Sequence, residues 1–326
     1  MSKRTWWKLP MAFSMLVLIS SCALSMNALE NKAGSSSSPE FGFSVDWTST
    51  ASSIMPVDAT LPLVNQGNQA PAAIASTAKV ITALTVLKHT PLTVGQSGPV
   101  FEIGASDVER YEKYLAMNGS VLPVYQGMTL TLRQALEAML LPSANNIADS
   151  LAIWTFGSLD AYRQAAQALV QELGLSSTSV GTDASGYDPS TTSTARDLAV
   201  LAAHAMKNPA IAGIVKEPSA NIPGYGPVDN TNTLLGVDGI IGLKTGTSKE
   251  ARGVFLFAAT IVIKGKSTMV VGAVQGAGSA AKDAMSVAQQ LILSVKELSA
   301  TGSADFSTRK AMASWQQSFG HLLQEA

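Results

Sequence analysis

The chain has 326 residues, 46% of them hydrophobic and 14% charged, which is ample apolar material for one large or two ordinary packed domains. With 22 basic against 23 acidic side chains the net charge is −1, so neither nucleic acid nor an anionic membrane surface finds an electrostatic footprint here. The single cysteine excludes an internal disulfide framework and a Cys-based metal cluster.

In chain order, Lys3, Arg4 and Lys8 form a basic region ahead of the short apolar run Met11 to Ile19, and residues 1–22 read as an export signal. That run is too short to span a bilayer. Ile19-Ser20-Ser21-Cys22 resembles a bacterial lipobox, in which Cys22 would be lipidated and become the mature N-terminus. An incidental cysteine in an ordinary signal peptide is the alternative. A diacyl anchor would hold the protein on the outer face of the cytoplasmic membrane, because two chains attach stably where one does not. Residues 23–42, with Ser35-Ser36-Ser37-Ser38-Pro39, lack the apolar content to pack and read as a tether. The folded domain is expected over 43–300, starting near Phe43. Leu61-Pro62-Leu63-Val64 followed by a turn at Asn65-Gln66-Gly67-Asn68 reads as the end of a short hairpin.

Ser76-Thr77-Ala78-Lys79 then opens a helix whose Val80, Ile81, Ala83, Leu84, Val86 and Leu87 are apolar around nearly the whole circumference, the mark of a buried helix. Serine and lysine three positions apart share a helix face, so the amine reaches the hydroxyl and can remove its proton without a histidine. With Ser76 at the helix N-terminus, unsatisfied N–H groups point toward a developing oxyanion. Helical patterns continue over Thr131–Leu141, Asn145–Phe156 and Leu159–Leu173, with Gly157 and Gly174 as stops. Ser143-Ala144-Asn145 stands at the start of the second, and as a helix cap after Pro142 it would serve structure and chemistry alike.

The period then changes. Val254–Ile263 and Thr268–Val274 are β-branched runs joined by Lys264-Gly265-Lys266, a hairpin of central strands, and Lys244-Thr245-Gly246 precedes them on an edge-proximal strand. Ala280–Leu298 reads as a closing helix on that sheet, with Lys282 a solvated residue. Residues 301–326 hold a further amphipathic helix, with Met312, Trp315, Phe319, Leu322 and Leu323 on one stripe and too few cations for a membrane-surface helix, so packing against the body is expected.

The order Ser76-x-x-Lys79, Ser143-x-Asn145, Lys244-Thr245-Gly246 resembles the motif set of class A β-lactamases and penicillin-binding proteins. Decoys are present. Ser279-Ala280-Ala281-Lys282 has no later partners, and Ser219-Ala220-Asn221 lies too close to Lys244 for intervening helices. From about Gly67 to Leu298 the chain is similar to the serine D-alanyl-D-alanine carboxypeptidases of the low-molecular-mass penicillin-binding group. Ile74–Lys79, Leu141–Asn146, Gly242–Thr247, Asp183-Ala184-Ser185-Gly186-Tyr187 and Ser193–Leu198 carry that likeness. It implies an α/β (α+β) fold: a five-stranded antiparallel sheet flanked by helices, with an all-helical subdomain and the site in the crevice between. Members often carry a β-rich second domain after the closing helix, for which the residues after Leu298 are too few.

The resemblance implies Ser76 as nucleophile toward the penultimate D-Ala of peptidoglycan stem peptides, and toward β-lactams. Lys79 would be its base, with a pKa lowered by burial and by Lys244. Ser143 would relay a proton to the leaving amine, Asn145 would bond the substrate backbone, and Asn146 would face elsewhere. Thr245 and Thr247 hydroxyls, with Arg252, would hold the terminal carboxylate. Gly246 would leave room for substrate beside the strand, and the Thr247 N–H would join that of Ser76 as oxyanion donor. A monomer without cofactor or metal is expected, since His-Glu-x-x-His spacing is missing and His89, His204 and His321 are scattered.

Three other readings compete. A β-lactamase needs a glutamate that directs water; Glu217-Pro218-Ser219-Ala220-Asn221 has the residues but lies too near Lys244, and reads as a surface loop. A non-catalytic binding or structural lipoprotein would require broken motifs, and none is broken. Endopeptidase or transpeptidase action would depend on which acceptor the cleft admits.

Overall fold

The computed structural model describes residues 45–263 and 265–301. Cys22, the export signal, the tether and the amphipathic stripe of Met312 to Leu323 lie outside the described residues.

An antiparallel sheet is built from β1 (Ala51–Pro56), β2 (Val64–Gly67), β3 (Ile240–Ser248), β4 (Arg252–Ile263) and β5 (Lys266–Ala277). Its five strands lie in the order β2-β1-β5-β4-β3. The helices are α1 (Ala78–His89), α2 (Ala105–Ala116), α3 (Leu132–Leu140), α4 (Asn145–Phe156), α5 (Leu159–Glu172), α6 (Ala195–Lys207), α7 (Pro209–Ile214) and α8 (Ala281–Thr301).

Alternation along the strands divides the interior into two cores. Ile54, Phe255, Phe257, Ile261, Val270 and Val274 face α8, which answers with Ala284, Ala288, Ile292 and Val295 at helical spacing. Val254, Leu256, Ala258, Val271 and Ala273 face the opposite way, toward α6 and the helical subdomain. Close packing leaves no slack: a Cβ on Gly272 would stand 2.5 Å from the Phe257 ring and from the Ser53 carbonyl. α1 runs through the middle of the second core with Val80, Ile81, Ala83 and Val86 fully buried, as its unbroken apolar circumference requires.

Helix ends follow local chemistry. Thr131 Oγ1 accepts from Gln134 N at 3.3 Å while Gln134 Oε1 accepts from Thr131 N at 2.9 Å, a reciprocal cap that starts α3. Ser158 and Thr194 cap α5 and α6, and Gly157 closes α4 in the left-handed region.

Several expectations are corrected. Asn65, Gln66 and Gly67 are strand, paired with Ser53, Ser52 and Ala51, so the hairpin turn lies earlier, across 57–63. Polar composition suggested a turn, but Val64 pairs with Ile54 and fixes the register. Lys244 lies on the edge strand itself. Of the 217–221 segment only Glu217 and Pro218 are loop: Ser219–Ile222 pairs with Gly226–Asp229 in a two-stranded ribbon. α2 and α7 were not anticipated; α2 has only Tyr114 fully buried, so its apolar signal is faint.

Candidate active site

Ser76 sits in a tight 3-10 turn, Ala75–Thr77, directly ahead of α1 rather than within its first α-helical turn. Two glycines let that turn form. Ala75 has φ 45°, and its carbonyl lies where a Cβ on Gly186 (φ 71°) would stand 2.1 Å away. A Cβ on Gly246 would stand 3.1 Å from the Ile74 carbonyl and 3.3 Å from the Ser76 nitrogen. Gly246 therefore brings the edge strand β3 against the serine turn, a closer duty than the expected clearance for substrate.

Lys79 is fully buried, and its Nζ meets Ser76 Oγ at 2.9 Å, Asn145 Oδ1 at 2.7 Å and the Ser185 carbonyl at 2.9 Å. The last two are acceptors only. A neutral amine spends its two N–H bonds on them and turns its lone pair to the serine hydroxyl. Burial lowers its pKa to about 7, with Asp183 and Asp149 pulling the other way. Lys244 is equally buried; burial and then the charge of Lys79 hold it well below the usual lysine range, and its Nζ donates to the Thr245 carbonyl at 3.2 Å.

Asn145 begins α4, its backbone N–H donating to the Ser120 carbonyl at 2.8 Å. Its side-chain oxygen binds lysine, a partner the sequence did not disclose. Asn146 faces away and clamps Leu122 through both backbone groups, at 3.0 and 2.9 Å. Ser143 holds φ 70°, and its buried Oγ has no hydrogen-bond partner. Strain of this kind costs about 1–3 kcal/mol, and an unpaired buried hydroxyl about as much again. Ser143 lies between Asn145 and Leu141, whose carbonyl accepts from Thr231 Oγ1 at 3.2 Å. Thr231 in turn shares a 2.7 Å hydroxyl contact with Thr245.

The remaining carboxylate-binding candidates are placed differently from expectation. Thr247 Oγ1 accepts from Ala281 N at 2.8 Å, fastening the start of α8 while keeping its proton to donate. Arg252, at φ 58°, donates through Nε to the Gly278 carbonyl at 2.7 Å, beside Asp283. No contact joins it to the lysine pair.

Glu217 is held by Arg133 at 2.6 Å, and the same guanidinium binds Glu137 at 2.7 Å, so the lactamase-like glutamate is occupied on α3. His89 packs against Phe156 with the rings tilted by 57°, and Lys282 is exposed on α8. No group of three His, Cys, Asp or Glu among the described residues could hold a metal ion.

Sequence reasoning named Asp183 and Ser185 only as part of the family likeness, with no role, and did not single out Asp149 or Tyr114. Asp183 Oδ1 accepts from Ser185 N at 2.7 Å and Gly186 N at 2.5 Å, closing the turn that offers its Ser185 carbonyl to Lys79. Asp-x-Ser-Gly is a legible turn signal, but its contact with Lys79 is not.

A serine turn beside a deprotonable buried lysine, with a second lysine on the adjoining edge strand, defines an active-serine acyl-transfer site of the lysine-base type. The chain belongs to the D-alanyl-D-alanine carboxypeptidase family, whose model matches residues 44–277. It is similar to the D-alanyl-D-alanine carboxypeptidase DacB2 of Mycobacterium tuberculosis, 34% identical over 62% of this chain and 66% of that one, just under two thirds of its length. A D-alanyl-D-alanine carboxypeptidase of Streptomyces sp. is 28% identical over 57% of this chain and 67% of its own. Among solved structures, a variant of a Streptomyces DD-transpeptidase superposes with TM-score 0.67 at 26% identity, covering 77% of this chain and 98% of the other. A D-alanyl-D-alanine carboxypeptidase from M. tuberculosis superposes with TM-score 0.63 at 28% identity, covering 78% and 95%.

Proposed function

We propose that the protein is a serine D-Ala-D-Ala carboxypeptidase that removes the terminal D-Ala from peptidoglycan stem peptides and is acylated by β-lactams at Ser76. The observation that carries this reading is the Lys79 amine, whose two fixed acceptors leave its lone pair for the Ser76 hydroxyl 2.9 Å away.

Lys79 takes the Ser76 proton as Oγ bonds to the penultimate carbonyl carbon. The oxyanion is met by the N–H groups of Ser76 and Thr247. The C–N bond then breaks, and terminal D-Ala leaves with a proton passed from the lysine pair through Ser143. Water adds to the ester carbonyl and gives a proton to Lys79; the bond from carbon to Ser76 Oγ then breaks, Ser76 takes that proton back from Lys79, and the shortened peptide departs. Lys244 supplies positive potential, and the hydroxyls of Thr245 and Thr247 bind the terminal carboxylate. The outer edge of β3 offers backbone groups to an extended peptide.

Fluorescent penicillin should label the wild-type protein and leave Ser76→Ala unlabelled. Absence of wild-type labelling would remove the assignment. Benzylpenicillin should remain bound as a stable acyl-protein, consistent with Glu217 being occupied by Arg133; rapid turnover would instead mean a β-lactamase. The neighbours named transpeptidases favour one further question, the acceptor, which an added amino-acid amine answers through the mass of the product.

We infer also that the protein is exported, monomeric and anchored outside the cytoplasmic membrane through Cys22. No helix among the described residues is long and apolar enough to cross a membrane. The lipobox-like sequence supports the anchor; Cys22→Ala should move the protein from the membrane to the soluble fraction.

A further inference from the structure

Behind Lys79 lies a buried carboxylate that the reaction above does not use. Asp149 follows Asn145 by one turn of α4, so both side chains leave the same face. Its Oδ2 accepts from the Tyr114 hydroxyl on α2 at 2.7 Å, and its Oδ1 accepts from Ala184 N at 2.9 Å. The next residue, Ser185, gives its carbonyl to Lys79 at 2.9 Å. One carboxylate thus ties the helix that supplies one lysine acceptor to the turn that supplies the other.

We propose that Asp149 is a positioning residue for acylation: it fixes the 183–187 turn to α4 so that Asn145 and Ser185 grip one amine, and its charge supports the ammonium formed when Ser76 releases its proton. This rests on Lys79 being the base. The groups facing it are Lys79 on α1, Tyr114 on α2, Tyr162 on α5 and Asp183 in the turn, with Lys244 beyond Lys79. Burial pushes the Asp149 carboxyl up to about 6. Burial also pushes the Tyr114 phenol far up, so it remains a donor at any working pH. Asp149 and Lys79 each favour the other's charged form, so the carboxylate opposes the desolvation that would otherwise make the amine too weak a base.

The test is the pH profile of benzylpenicillin acylation in Asp149→Asn. An amide can accept from Ala184 N and donate to the Tyr114 oxygen, keeping the bridge while removing the charge. Its acidic limb should move to lower pH by roughly one unit, with the plateau rate reduced about threefold. Asp149→Leu, which breaks the bridge, should lose at least about tenfold at every pH. Profiles of Asp149→Asn and wild type that coincide would overturn the inference while leaving the base assignment intact. A wild type that forms no acyl-protein would instead overturn the reading of Lys79.

Discussion

Lys79 decides the chemistry, and its pH behaviour can be worked out in sign. Burial brings its pKa to about 7, so the neutral base grows as pH rises through that value. The second-order rate of benzylpenicillin acylation should accordingly climb tenfold per unit below pH 7 and flatten above it, as stopped-flow labelling would show. A flat profile from pH 5 to 8 would contradict a titrating amine. Ser143 makes a second case. Its unpaired buried hydroxyl and left-handed backbone fit a proton relay, so Ser143→Ala should lower the acylation rate by about 10² to 10⁴ while raising stability by about 1–3 kcal/mol, because an unpaired buried group is removed. At this scale Ser76, Lys79, Asn145 and Lys244 were legible because short motifs carry them. The actual partners of Thr247 and Arg252 were not, since Ala281 and Gly278 reach them from the far end of β5.

At the scale of elements, the serine turn exists only because β3 and the 183–187 turn close on it from two sides. Gly246→Val would drive a branched side chain into the Ile74 carbonyl and the Ser76 nitrogen. Labelling by fluorescent penicillin should fall at least about a hundredfold through misplacement of the nucleophile, with melting lowered as well; unchanged labelling would show that the turn does not depend on this approach. Thr131→Ala removes the reciprocal cap of α3 and should cost about 1 kcal/mol by urea unfolding, leaving acylation intact. α4 begins and ends where its motif and Gly157 place it, and β4 gives way to β5 at Gly265, because each boundary rests on local chemistry. β2 was misread as a turn, and Ser219 to Asn221 as part of a surface loop, because Asn65, Gln66, Ser219 and Asn221 give no apolar alternation to mark a strand, although their partners at 51–54 and 226–229 lie close in sequence.

For the molecule as a whole, two lysines buried beside each other tie stability to pH. Each has a folded pKa below its unfolded value of 10.5, so the unfolded chain binds more protons between neutrality and pH 10. Stability therefore rises with pH over that window, by about 1.4 kcal/mol per unit for each lysine. Urea midpoints measured from pH 7.5 to 9.5 should increase, and Lys79→Met should remove part of the slope; a falling midpoint would contradict the burial. Asp149 acts in the opposite sense at lower pH, since its raised pKa favours folding below about pH 4 and that contribution fades by pH 6. The helical middle of the chain and the hairpin of Val254–Ile263 and Thr268–Val274 were legible from the change of period, whereas the five-stranded sheet followed only from the family resemblance, because β1 and β2 lie far upstream of their partner strand β5.

The central claim, that this cleft cleaves the D-Ala-D-Ala bond through an acyl-enzyme on Ser76, is tested most directly by mass spectrometry of a pentapeptide ending in D-Ala-D-Ala after incubation with the protein. A tetrapeptide and free D-alanine are expected from the wild type and from no Ser76→Ala sample. An intact pentapeptide with wild type, or equal cleavage by Ser76→Ala, would contradict it.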